Sequence, residues 1–174
     1  MTQDIHMSEE RLRGFEQISQ KQWDNDFNNI LEMHQVDYKK HQLPKRGSKT
    51  SAGYDFFSPI NEIIPAHETA KIPTGVKVFM QQDEVLMIYP RSSMGFKTNI
   101  RLSNTTGVID SDYYNNPDNE GEIFFQIINL SPFPVYLQKG DRIGQGIIHK
   151  YIITEDDAAV GKRIGGTGST DNVL

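Results

Sequence analysis

Between Tyr54 and Tyr151 the chain is a succession of short apolar runs, rich in Val, Ile, Phe and Tyr, each cut off by Pro, Gly, Asn or Asp. Residues 75–79, 85–89, 123–128 and 143–148 are such runs. Runs this short, with turn residues at such close intervals, predict an all-β fold of sandwich, barrel or jelly-roll type rather than strands alternating with crossover helices. The first part of the chain differs. From Ser8 to Met33 it is polar and thinly apolar, with Leu12, Phe15, Ile18, Trp23, Phe27, Ile30 and Leu31 at loosely helical spacing. The pattern predicts a helix over residues 21–31 capped by Ser19, whose hydroxyl can accept a free amide of the first turn. Residues 11–18 fit either a strand or a helix. There is no internal repeat and no low-complexity tract.

Composition narrows the class. A chain of 174 residues is near the size of one ordinary domain and can bury a core without disulfides or a structural metal. It has no cysteine, which excludes disulfide frameworks and zinc–thiolate sites. Its 18 Lys and Arg against 23 Asp and Glu leave a net charge of −5, which argues against bulk electrostatic binding to nucleic acid. No apolar run reaches the roughly 18 residues of a membrane span, and the first ten residues lack the layout of a signal peptide, so a cytoplasmic protein is expected. The basic stretch Lys45-Arg46-Gly47-Ser48-Lys49 reads either as a solvated connector or as a nucleic-acid patch. The five histidines show no metal-ligand spacing.

Candidate chemistry lies in five short segments, each beside an apolar run: Ala52-Gly53-Tyr54-Asp55, Pro90-Arg91-Ser92-Ser93-Met94-Gly95, Gly107-Val108-Ile109-Asp110-Ser111-Asp112-Tyr113, Gly140-Asp141-Arg142-Ile143-Gly144-Gln145 and Gly165-Gly166-Thr167-Gly168-Ser169-Thr170. Arg91, Ser92 and Ser93 offer a guanidinium, two hydroxyls and successive backbone amides, the donors that phosphate oxygens accept. Gln145 carries an amide that both donates and accepts. Asp110 is the strongest candidate base, because hydrolysis of a phosphoanhydride needs a carboxylate to orient and deprotonate water. Each has a plainer reading: Asp55 and Asp110 as turn formers, Ser92-Ser93 as a helix cap, Tyr113 as a core residue, Arg142 as a structural ion pair, and the glycine-rich end as a frayed tail.

In order and spacing these segments resemble those of the dUTP diphosphatases, the trimeric deoxyuridine triphosphatases, and in particular their Gram-positive bacterial and phage members. The likeness runs from about Val36 to Thr170. It implies a dUTPase-like β jelly roll assembled as a homotrimer, with active sites at subunit junctions and the C-terminal arm closing a neighbour's site. It implies a magnesium-dependent reaction, dUTP to dUMP and pyrophosphate, that limits uracil entry into DNA and supplies dUMP for dTMP synthesis. By resemblance Asp110 directs water at the α-phosphorus, and Tyr113 excludes a 2′-hydroxyl. Asn104 and the backbone of Gly107, Val108, Ile109 and Asp110 read the uracil edge. Arg91, Ser92, Ser93, Gln145, Arg163, Ser169 and Thr170 serve substrate binding, and Asp55 touches the water shell of the metal. The layout becomes an N-terminal extension over 1–35 with a strand in residues 11–18, a jelly-roll domain over 36–161 and a glycine-rich arm over 162–174. The extension is expected to pack on the domain, with a docked protein partner as its functional alternative.

Two segments depart from the family pattern. Thr167 stands where an aromatic lid is usual, and a threonine cannot stack on a base. About six residues, 115–120, lengthen the usual tight turn after Tyr113, and their Asn, Pro and Asp predict a solvent loop. Gly144 stands for the usual alanine, which reads as a small change. Two alternatives stay open: a dCTP deaminase of the same superfamily, and a nucleotide-sensing or protein-binding jelly roll without turnover.

Overall fold

A computed structural model of the protein describes residues 11–34, 37–161, 163 and 165–166. Among these described residues twelve strands and one α-helix follow in the order β1 (Gly14–Gln17), α1 (Gln20–His34), β2 (Lys45–Arg46), β3 (Tyr54–Phe57), β4 (Glu62–Ile64), β5 (Thr69–Pro73), β6 (Val76–Phe79), β7 (Glu84–Tyr89), β8 (Ile100–Leu102), β9 (Gly107–Asp110), β10 (Phe124–Asn129), β11 (Val135–Leu137) and β12 (Arg142–Lys150). The fold is all-β, of jelly-roll type: antiparallel strands in a five-stranded sheet ordered β2-β3-β12-β7-β9, a three-stranded sheet β5-β10-β8, and the pairs β1-β6 and β4-β11. No helix among the described residues is long and apolar enough to cross a membrane.

Alternation decides which way each strand faces. Along β7 buried and half-buried residues alternate without a break, as expected of a strand with one face on the core. Phe56, Leu86, Phe125, Ile127 and Ile143 bring the sheets' inner faces together with essentially no exposure. The N-terminal segment joins this core: Phe15, Ile18, Trp23 and Phe27 belong to the same apolar cluster. Trp23 stacks on Phe27 at 4.1 Å between centroids. Burying side chains of this size contributes roughly 2–3 kcal/mol each. Gly75 has φ +67°, and a Cβ there would strike the Trp23 ring, so this turn admits both the backbone and the indole only as glycine.

Within residues 11–18, which fit either a strand or a helix, the chain forms β1. The helix extends beyond the expected residues 21–31 at both ends. Its cap is Ser19, whose Oγ accepts the Gln22 amide at 3.2 Å.

Candidate functional site

The sequence-predicted residues fall into two clusters on opposite ends of β7. The first surrounds β9, the edge strand of the five-stranded sheet. An edge strand leaves one row of backbone donors and acceptors without a strand partner. Beside it lies a cavity of about 580 Å³ lined by Asn104, Gly107, Val108, Ile109, Asp110 and Tyr113, together with Lys71, Glu122, Phe124, Gln126 and Arg163. Gly107 lies against Ile88 of β7, close enough that a side chain there would press on Ile88 Cβ at 3.1 Å. Asn104 is exposed in the turn before β9.

Asp110 closes β9 with its side chain half exposed, and the chain then turns tightly through Ser111–Tyr113. Tyr113 is buried; its hydroxyl donates to the Glu122 carbonyl at 3.0 Å and accepts from Asn119 Nδ2 at 2.8 Å. Arg163 reaches back from the C-terminal segment to bridge two carboxylates, Asp110 Oδ2 at 2.7 Å and Asp112 Oδ1 at 2.8 Å. Its guanidinium lies 5.5 Å over the Tyr113 ring. The Gly166 amide donates to Asp118 Oδ2 at 2.7 Å. In the single chain Arg163 therefore lies against the same chain's Asp110, where the resemblance implies that the arm closes a neighbour's site. Two adjacent carboxylates at one turn make a site that a fork-shaped cation fits.

The second cluster is at the other end of β7. Asp55 on β3 is buried at 6 % exposure and meets Arg91 Nε at 2.9 Å and Arg142 Nε at 3.5 Å. Such a carboxylate needs its cations, because an unpaired buried charge is costly. Gln145 sits on β12 between Asp55 and Tyr89, and its Nε2 donates to the Pro90 carbonyl at 3.3 Å. Ser92 and Ser93 are exposed at the start of a short helical turn, which Ser93 enters without a side-chain cap bond. The plain cap reading of Ser-Ser thus finds no bond at Ser93.

Register gives the separation of the clusters. Asp110 faces Val85 and Gln145 faces Tyr89, on opposite sides of β7. Four residues of rise and two strand spacings put their Cα atoms about 16 Å apart. One subunit therefore does not bring Asp110 together with Ser92 and Gln145. Ser169, Thr170 and Thr167 lie outside the described residues. Among the described residues no three carboxylate or imidazole groups converge on a metal position.

Sequence reasoning missed Asp112, Lys71, Asn116, Asn119 and Glu122. Asp112 was visible inside the third segment as a second acid two residues from Asp110. Lys71, whose Nζ lies 4.0 Å over the Phe124 ring at the cavity wall, arrives from β5 with no local signal. Glu122 is fully buried; its Oε1 accepts the Gly75 amide at 2.7 Å, and burial, reinforced by Asp26, pushes its carboxyl up to about 9.

Comparison with known proteins places this arrangement. The family model described as dUTPase matches residues 39–168. The deoxyuridine 5′-triphosphate nucleotidohydrolase of Lactococcus lactis is 44 % identical over 130 residues, 74 % of this chain and 87 % of that protein. The crystal structure of the Streptococcus mutans dUTPase superposes with a TM-score of 0.67 at 36 % identity, over 82 % of this chain and 98 % of that one. The dUTPase of phage phi11 of S. aureus shares the fold, with a TM-score of 0.63 at 20 % identity over 87 % and 97 % of the two chains. With three-quarters of its length matched at this level, the chain belongs to the dUTPase family.

Proposed function

We propose that the protein hydrolyses dUTP to dUMP and pyrophosphate, with Asp110 as the base. The observation that carries the reading is the half-exposed Asp110 carboxylate at the wall of a 580 Å³ cavity, between the edge strand β9 and the Tyr113 ring. A pyrimidine set against β9 pairs with backbone donors and acceptors as a further strand would, which discriminates bases by the order of those groups. The deoxyribose then lies on Tyr113, where a 2′-hydroxyl would be crowded and unpaired. Asp110 takes a proton from water as the water oxygen bonds to the α-phosphorus, and the bond from that phosphorus to the bridging oxygen breaks, releasing pyrophosphate.

A triphosphate needs more donors than Lys71 and Arg163 of the first cluster offer, and the second cluster adds Arg91, Ser92, Ser93 and Gln145. The separation of about 16 Å along and across the sheet supports a site built between subunits of a homotrimer, one copy supplying Asp110 and another the phosphate donors. Arg163, Ser169 and Thr170 of the arm would complete the phosphate contacts. Magnesium, when bound through the triphosphate, supplies charge neutralisation of the phosphate oxygens, and Asp55 would meet it only through water.

The test is pyrophosphate release from dUTP, dCTP and dTTP with and without magnesium, in the wild type and in Asp110→Asn. Turnover confined to dUTP and abolished in Asp110→Asn, with binding of a non-hydrolysable dUTP analogue retained, is the expected result. Unimpaired turnover by Asp110→Asn removes the assigned base. Ammonia release from dCTP would make the protein a deaminase.

A further inference from the structure

The residues that lengthen the turn after Tyr113 were expected to form a solvent loop, but the structure ties them down at every polar position. Asn116 is 6 % exposed; its Nδ2 donates to the Tyr113 carbonyl at 2.9 Å and to Asn119 Oδ1 at 2.8 Å, and its Oδ1 accepts the amides of Asp118 and Asn119. Asn119 Oδ1 also accepts the Gly121 amide at 3.1 Å, and its Nδ2 donates to the Tyr113 hydroxyl at 2.8 Å. A backbone amide can only donate, so the Gly121 bond fixes which end of the Asn119 side chain faces the phenol. Glu120 accepts the Ser19 amide at 2.9 Å and the Ser19 hydroxyl at 2.5 Å, which ties the loop to the start of α1. Lys77 holds the other side through Asn115 at 2.7 Å and Glu120 at 3.3 Å.

We propose that Asn119 is a positioning residue for sugar selection: it locks the Tyr113 ring through its phenol and so sets the clearance that excludes a ribonucleotide. This rests on the reading of Tyr113 as the wall against the 2′ position. A phenol that donates to the Glu122 carbonyl and accepts from Asn119 has both directions of its hydroxyl engaged, so the ring cannot slide without breaking a bond. Removing one of the two lets the ring retreat, and a pocket loses discrimination when its wall moves by a fraction of an ångström. The loop thereby links α1, the Tyr113 wall and, through Asp118, the arm at Gly166.

The experiment measures kcat and KM for dUTP and UTP in wild type, Asn119→Asp and Asn119→Ala, and repeats the pair with each variant added to Tyr113→Phe. Asn119→Asp keeps the Oδ1 acceptor that closes the loop but puts an acceptor where the donor to the phenol stood; the phenol's single proton can then serve the Glu122 carbonyl or residue 119 but not both, so one of the two locking bonds is lost even if the alanine variant is poorly folded. The expected result is a fall of about fivefold to tenfold in the ratio of kcat/KM for dUTP over UTP, the scale of one hydrogen bond, with kcat for dUTP within about twofold. In the Tyr113→Phe background Asn119→Asp should leave the ratio unmoved, since the atom through which it acts is gone. A selective wild type whose ratio is unmoved by Asn119→Asp overturns the proposal. So does a ratio that falls equally in both backgrounds, or a parallel loss of dUTP and UTP turnover, which marks a merely structural residue. A wild type that turns over dUTP without preferring it to UTP removes the reading of Tyr113 itself, and this inference with it.

Discussion

Replacing Glu122 by Gln should stabilise the protein, and by an amount that grows with pH. The Glu122 carboxyl is fully buried between α1 and the turn before β6; Oε1 accepts the Gly75 amide, while Oε2 has no ordinary donor facing it. Asp26 of α1 interacts with this carboxyl, so only a proton held on Glu122 makes that contact favourable, and the charge of Lys71 opposes it weakly. Burial first and Asp26 second push the pKa from 4.5 to about 9. The folded state thus holds a proton that the unfolded chain releases above pH 4.5. Stability falls by about 1.4 kcal/mol for each pH unit between those two values and is flat outside them. At pH 7 this amounts to about 3 kcal/mol. Glutamine has nearly the same shape, accepts from Gly75 through its oxygen, and offers Asp26 an amide donor at every pH. Chemical denaturation of wild type and Glu122→Gln at fixed protein concentration, at pH 6, 7 and 8.5, should therefore show a gain of about 2 kcal/mol that widens to about 5. A gain independent of pH, or a loss at pH 8.5, would show that Glu122 is ionised in the fold and that the argument from burial is wrong.

Two glycine substitutions test the packing around β12. Gly144→Ala restores the residue expected at this place, yet its Cβ would enter the ring of Phe125, which is itself buried and packed on Phe56. The variant should lose about 1–3 kcal/mol in urea denaturation; an unchanged midpoint would mean that the Phe125 ring has room to shift. Gly53→Ala places a methyl against the Gln145 amide, clashing with its Oε1 and approaching Cδ at 3.1 Å. Because the obstacle is the end of a flexible side chain, the melting temperature should hold within about 2 °C while kcat/KM for dUTP falls roughly tenfold, the scale of a hydrogen bond to a charged phosphate. Unchanged kinetics would take Gln145 away from the phosphates.

Patterning revealed the elements better than it revealed their meeting points. The apolar run that becomes β7 and the cap at Ser19 are local: each depends on neighbours within a few residues, and each is found where the pattern puts it. The same holds for the tight turn that follows Asp110. Contacts that join distant segments carry no such mark. Glu120 meets Ser19 across 101 residues and Arg163 meets Asp110 across 53, and neither partner announces the other in sequence. A polar run of Asn, Pro and Asp reads as a solvent loop because those residues favour turns; whether their side chains then face water or a buried phenol is decided by what lies beneath. Gly144 is a similar case. Alanine and glycine differ by one methyl, and only the position of Phe125 makes that methyl matter.

The ion pairs of Arg163 bear on how the proposed reaction could be gated. Asp110 and Asp112 have side chains 54 % and 57 % exposed, whereas the Arg163 side chain is 10 % exposed. Water competes well at such carboxylates, so each pair contributes at most about 1 kcal/mol. A triphosphate concentrates far more negative charge and accepts the two parallel N–H bonds of a guanidinium equally well. On the proposed reading, transfer of Arg163 from the carboxylates to the phosphates therefore costs little and yields more than it costs. The same step frees the Asp110 Oδ2 that, on that reading, holds the water. An Asp110 carboxylate with one oxygen held by Arg163 before substrate arrives, and released by the charge of that substrate, needs only the exchange of one side chain between two nearby partners, without movement of the sheet that carries it.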